Sequence, residues 1–183
     1  MKPWQVLDSK LLVSERWLQL REDRVRLGNG HEIDRFHVIS APDWASVLCV
    51  TNASEVILVR QYRHGIARPS LELPAGVIEP HETPEEAARR ELAEETGLHA
   101  GSLGGPVMVE RDFVWEGERR VGPEAFFLAG WERVPPVRLE GEPALLGFAW
   151  MAVAAVRGLR EVEPPELAYV VRRLRARPSP PSR

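Results

Sequence analysis

The residues with the clearest chemical potential lie between positions 76 and 98, where Glu82, Glu85, Glu86, Glu91, Glu94 and Glu95 crowd around Arg89 and Arg90. Thr83 can cap a helix, Pro84 suits its first position, Glu86 completes a Thr-x-x-Glu capping box and Gly97 supplies a stop. The spacing therefore predicts a helix over 84–96. At ~100° per residue, Glu91 and Glu95 stand one turn and about 40° apart, with Glu94 flanking them. Acidic runs on helices usually do no more than solvate a surface. Here three carboxylates share a face that repels itself unless something positive sits on it, and a hard divalent cation with oxygen ligands resolves the conflict. Arg90, four residues from both Glu86 and Glu94, can hold a carboxylate in its fork of donors. Just upstream, Leu73-Pro74-Ala75-Gly76 forms a rigid then flexible elbow whose carbonyl groups can join a metal shell.

These residues need a scaffold, and the flanking sequence supplies strands. SVLCVT at 46–51 and EVILVRQYR at 55–63 read as core strands joined by the short turn Asn52-Ala53-Ser54. LELPAGVIE offers short β pieces interrupted by Pro74 and Gly76. Further on, PVMVERDFVWEG and EAFFLAGW form a β pair joined around Gly117 to Gly122, GFAWM another strand, VAAVRGL a short helix and PELAYVVRRLRAR a terminal helix starting near Pro165. Before the core strands, alternating apolar residues on either side of Gly28-Asn29-Gly30 predict a hairpin in a β-rich arm.

Composition narrows the class. With 183 residues, 44% hydrophobic and 28% charged, the chain suits one globular domain plus an arm. A formal charge of −3 gives no basic footprint, which argues against a nucleic-acid partner. Cys49 is the single cysteine and lies in an apolar run, so neither an internal disulfide nor a cysteine zinc site is possible. No stretch reaches the roughly 18 apolar residues of a membrane span, and no signal-peptide core opens the chain; the expected location is cytoplasmic.

Gly76, Glu82, Arg90-Glu91-Leu92, Glu94-Glu95 and Gly97-Leu98 match G-x5-E-x7-R-E-U-x-E-E-x-G-U, with U aliphatic, at every fixed position. Fixed letters at frequencies of about 5–10% produce this pattern by chance roughly once in 10^8 trials, so the signal is strong. The chain thus resembles the Nudix hydrolases. The resemblance implies a loop-helix-loop that binds Mg2+ or Mn2+ and cleaves a nucleoside diphosphate linked to another moiety. It implies that Glu91, Glu94 and Glu95 bind metal, that Ala75 adds its carbonyl oxygen, that Glu82 and Gly76 support the site, and that Arg90 orients it; Glu95 and Arg90 count among the catalytic residues. The chemistry suits such a site, because a pyrophosphate is a polyanion that repels hydroxide.

Outside the box, WQVLDSK, LVRQYRHG and LELPAG resemble the ADP-ribose pyrophosphatase branch over about residues 1 to 98. That likeness implies an α/β fold, a Nudix α/β/α sandwich with a mixed β-sheet. It also implies an N-terminal β arm over 1–40 that forms a homodimer, a hydrolase domain over 41–177 and a tail at 178–183. In that branch a catalytic glutamate, with a metal ligand two residues later, follows the box helix by some 45 residues; Glu140 and Glu142 occupy the comparable place, with Glu110, Glu116, Glu118 and Glu124 as rivals. For the substrate, Arg63 in QYR, Arg60 and Arg111 offer phosphate-binding forks, and Trp44 offers a ring on which a base can stack. The branch often has a proline 15 or 16 residues past the box, where this chain has Phe113 and Val114. The expected reaction is ADP-ribose to AMP and ribose 5-phosphate. Alternatives are another nucleotide sugar such as GDP-mannose, a nucleoside triphosphate, or a non-catalytic nucleotide sensor, although sensors often lose the box glutamates and this chain keeps them all.

Overall fold

A computed structural model describes residues 2–115, 118–138, 145–156, 158–159 and 162–163, with side chains left out at 110–115, 118–123 and 162–163. The chain divides into two compact units, Met1–Pro42 and Asp43–Arg183.

The first unit is a three-stranded antiparallel sheet of β1 (Gln5–Glu15), β2 (Leu18–Arg26) and β3 (Glu32–Ser40), in that order. The expected hairpin is β2–β3, closed by Gly30 at φ 89° and by Leu27 and His31. β1 adds a strand that the alternation did not reveal. Asp23 is buried opposite Ser9 of β1, whose hydroxyl donates to it at 2.6 Å. That bond pins the pairing, since a one-residue slip would turn the carboxylate to the other face.

The second unit is built on a mixed sheet. Its strands are β4 (Trp44–Thr51), β5 (Glu55–Arg63), β6 (Arg68–Glu72), β7 (Ala75–Val77), β8 (Gly104–Trp115), β9 (Glu118–Trp131), β10 (Leu145–Ala152) and β11 (Val162–Glu163). They run in the order β11-β6-β5-β4-β9-β8, with β10 on β5 and β7 on β4. The pair β4–β9 is parallel and β8–β9 antiparallel. β9 begins at Glu118, so Arg111 faces Gly122 across a continuous ladder. Residues 118–122, expected to belong to the turn, are therefore strand.

Strict alternation sorts the core into two layers. Ala45, Val47, Cys49, Ile57, Ala125, Phe127 and Ala129 point to helix α1 (Pro84–Thr96), which supplies Ala87, Ala88 and Leu92. Leu48, Val56, Leu58 and Phe126 point the other way, to Leu73, Val107 and Val156 of the short helix α2 (Val153–Val156). The result is the expected α/β sandwich with a mixed sheet. The terminal helix expected from Pro165, and the tail, lie outside the described residues.

Candidate active site

Helix α1 spans the predicted range. Its start carries the full capping box: Glu86 N–H donates to the Thr83 hydroxyl at 3.3 Å, and Thr83 N–H donates back to Glu86 at 2.8 Å. Gly97 ends it at φ 67°, its N–H reaching Ala93 O at 2.8 Å. The preceding elbow is stitched to the centre of the sheet. Ala45 pairs with Gly76, Ser46 with Ala75, and Val47 N–H donates to Pro74 O at 2.8 Å. Because Ala87 and Ala88 are small, α1 packs closely on this layer, and both ends of the motif become fixed to one framework.

That closeness explains Gly76. A Cβ there would lie 2.0–2.4 Å from the Glu91 carboxylate, so only glycine admits Glu91 at this place. The acidic face is graded: Glu94 is exposed, Glu91 half-buried and Glu95 buried. Glu95 accepts a bond from Ala75 N–H at 3.0 Å, which favours its charged form, but burial dominates and pushes its carboxyl up to about 8. Burial also raises Glu91, against the pull of Arg90.

Arg90 is the hub. Its Nε and Nη2 grip Glu82 at 2.8 and 3.0 Å, Nη2 also donates to Val77 O at 2.9 Å, and Nη1 reaches Glu91 at 2.5 Å and Glu94 at 3.1 Å. The Arg90 bonds, helped by Glu79 N–H, hold Glu82 down at about 2. Glu94 thus meets Arg90 as its spacing predicts. Glu86 does not, because the capping box turns its carboxylate back to Thr83.

Among the described residues, no three or more His, Cys, Asp or Glu side chains are drawn together at coordination reach. Arg90 bridges two of the box carboxylates, and Glu95 is turned to the elbow backbone. The donor set still fits a hard cation: three carboxylates around a glycine cradle, two of them driven by burial toward the neutral form that a bound cation would reverse.

Arg63, at the end of β5, donates to Glu72 of β6 from Nε at 2.8 Å and also through Nη2. Arg60 is exposed, three residues away and so on the other face of the strand. Trp44 is half-buried at the start of β4, opposite Val77. Arg111 is described for its backbone alone. Glu140 and Glu142 lie outside the described residues, as does their rival Glu116. Two acidic features escaped the sequence reading. Glu72 is buried beneath Arg63, and its one signal was a carboxylate set between Leu71 and Leu73. Glu124, weighed only as a rival base, is buried on β9 and accepts a bond from the Ser46 hydroxyl at 2.6 Å.

Residues 42–174 match the family model described as NUDIX domain, and residues 4–39 match one described as nucleoside diphosphate sugar hydrolase N-terminal domain. The chain belongs to the NUDIX domain family. Nudix hydrolases generally need divalent metal ions. This Nudix chain is 38% identical over 92 residues to an ADP-ribose pyrophosphatase of Bacillus subtilis (strain 168), covering 50% of this chain and 49% of the relative. It is 34% identical over 99 residues to a methanol dehydrogenase activator of Bacillus methanolicus, covering 54% and 53%. The chain spans about half the length of these relatives. In three dimensions it resembles a solved ADP compounds hydrolase with a TM-score of 0.72, over 94% of each chain at 19% identity, which speaks to the fold alone. Among the described residues, no helix is long and apolar enough to cross a membrane.

Proposed function

We propose that this Nudix chain hydrolyses the pyrophosphate bond of a nucleoside diphosphate linked to a sugar, with ADP-ribose giving AMP and ribose 5-phosphate. The observation that carries the reading is the intact box, with its graded carboxylates packed against Gly76 and gathered by Arg90. Glu91, Glu94, Glu95, the Ala75 carbonyl and Glu142 would hold a divalent cation, Mg2+ or Mn2+. Bound there, it would neutralise phosphate oxygens and acidify water.

The chain's own residues do the rest. Arg90 keeps Glu91 and Glu94 in place and is itself clamped by Glu82 and the Val77 carbonyl. Glu140 accepts the proton of the attacking water. Arg63, on the face of β5 opposite to Arg60, is the preferred phosphate-binding arginine, with Arg111 as a further donor, and Trp44 stacks the base. The arm joins two chains into a homodimer. A broader range of nucleoside diphosphate sugars is the second reading, favoured by the description of the family matched over residues 4–39.

The test is incubation of the purified protein with ADP-ribose and either cation, with separation of the products. AMP and ribose 5-phosphate are expected, with ADP-glucose and GDP-mannose cleaved more slowly. No phosphate ester from any of them, with tight ADP-ribose binding retained, would reject hydrolysis in favour of a sensor.

A further inference from the structure

Glu72 lies on β6 opposite Val59 of β5, with 7% of its surface exposed. A carboxylate so far out of water persists only with a partner. Its partner is Arg63, nine residues earlier across the turn at His64–Ile66, which grips it by Nε and Nη2 together. The pair runs from the interior to the rim, since the Arg63 side chain is 36% exposed. It also stands beside the elbow that leads into the box, since β6 ends at Glu72 and β7 begins at Ala75.

A guanidinium is planar and rigid, so a grip along its Nε edge fixes the direction of the whole fork. An arginine tethered only by its flexible stem loses rotamer freedom when it meets a phosphate, whereas one already clamped has lost it beforehand. We infer that Glu72 is a positioning residue that aims the Arg63 fork at the diphosphate of the substrate. The inference rests on the proposed reading of Arg63 as a phosphate-binding residue. The opposing effect is that Glu72 partly neutralises Arg63, so the sign of the change in KM decides between aiming and competition.

The experiment is steady-state kinetics on ADP-ribose for the wild type, E72Q, E72A, R63A and R63A/E72A, each checked for folding by circular dichroism. E72A is expected to raise KM about five- to tenfold, with kcat within about twofold of wild type, through loss of a pre-ordered side chain. E72Q, which keeps an acceptor, falls between E72A and wild type, and adding E72A to R63A raises KM no further. An unchanged or lowered KM in E72A, or effects of the two substitutions that multiply, overturns the inference. If E72A does not fold, E72Q and R63A/E72Q carry the same comparison. If the wild type turns over no ADP-ribose, the functional reading fails separately. Calorimetric titration with inorganic pyrophosphate then judges Glu72: affinity lost alike in R63A and E72A supports the inference, and affinity indifferent to Glu72 overturns it.

Discussion

Glu95 is where burial and chemistry oppose each other most directly. Its carboxyl ordinarily titrates near 4.5, and in the folded chain it is pushed up to about 8. Between those values the unfolded chain gives up a proton that the folded chain keeps, so the folded state is penalised progressively as pH rises through this window and fully above it. Metal-free E95Q is therefore expected to gain melting temperature over metal-free wild type as pH rises from 5 to 8.5, and with the cation added E95Q is expected to lose turnover. Thermal melts of both proteins across that range check it; a constant difference between them would refute it. Saturating divalent cation should abolish the pH trend, because a bound cation stabilises the ionised form. Gly76 offers a second test. The nearest atoms a methyl group there would meet are those of the Glu91 carboxylate, the far end of a flexible side chain, so G76A is expected to fold while displacing that carboxylate, weakening metal affinity and activity about 10- to 100-fold. Titration calorimetry with Mg2+ or Mn2+ measures the first loss and product formation the second.

Among the elements, α1 was the most legible, since its cap, proline, box and terminal glycine each act locally and needed no tertiary information. Replacing Thr83 by alanine removes the hydroxyl that accepts from Glu86 N–H and donates to its carboxylate, while the backbone bond from residue 83 stays, and should cost about 1 kcal/mol in chemical denaturation, without touching Glu91 or Glu95. The core strands β4 and β5 were equally readable, because their apolar runs are buried on both faces. What could not be read was long-range. Nothing in the spacing tells that Glu86 is spent on the cap and that Glu82, eight residues before Arg90, takes its place as the partner. The Ser46–Glu124 and Arg63–Glu72 contacts join residues on separate strands, and only the sheet order brings them together. β8 and β9 continue past the expected turn because pairing, rather than residue type, sets where a ladder ends.

The whole molecule combines a well-filled unit with a thin one. Among the first 42 residues only Asp23 and Val25 are buried among those described, while Trp4, Val6, Leu11, Leu12, Trp17, Leu18, Phe36 and Ile39 are exposed. A three-stranded sheet with so little interior is marginal alone, and apolar area of this kind marks an interaction face. The proposed homodimer accounts for it, and charges at Leu18 and Ile39, which share one face of the sheet (L18R/I39D), are expected to shift the protein from dimer to monomer in sedimentation velocity. A wild type that sediments as a monomer would remove the proposal.

Cys49 sits wholly inside the sheet, on β4 beside Ala129 of β9, where burial pushes its thiol well above the usual range. Such a sulfur is nearly inert while the strands stay closed. Because the chain has no other cysteine, a thiol-reactive dye becomes a built-in clock for opening of the central ladder. Its labelling rate, compared with and without nucleotide, reads how tightly an occupied catalytic centre locks the scaffold beneath it.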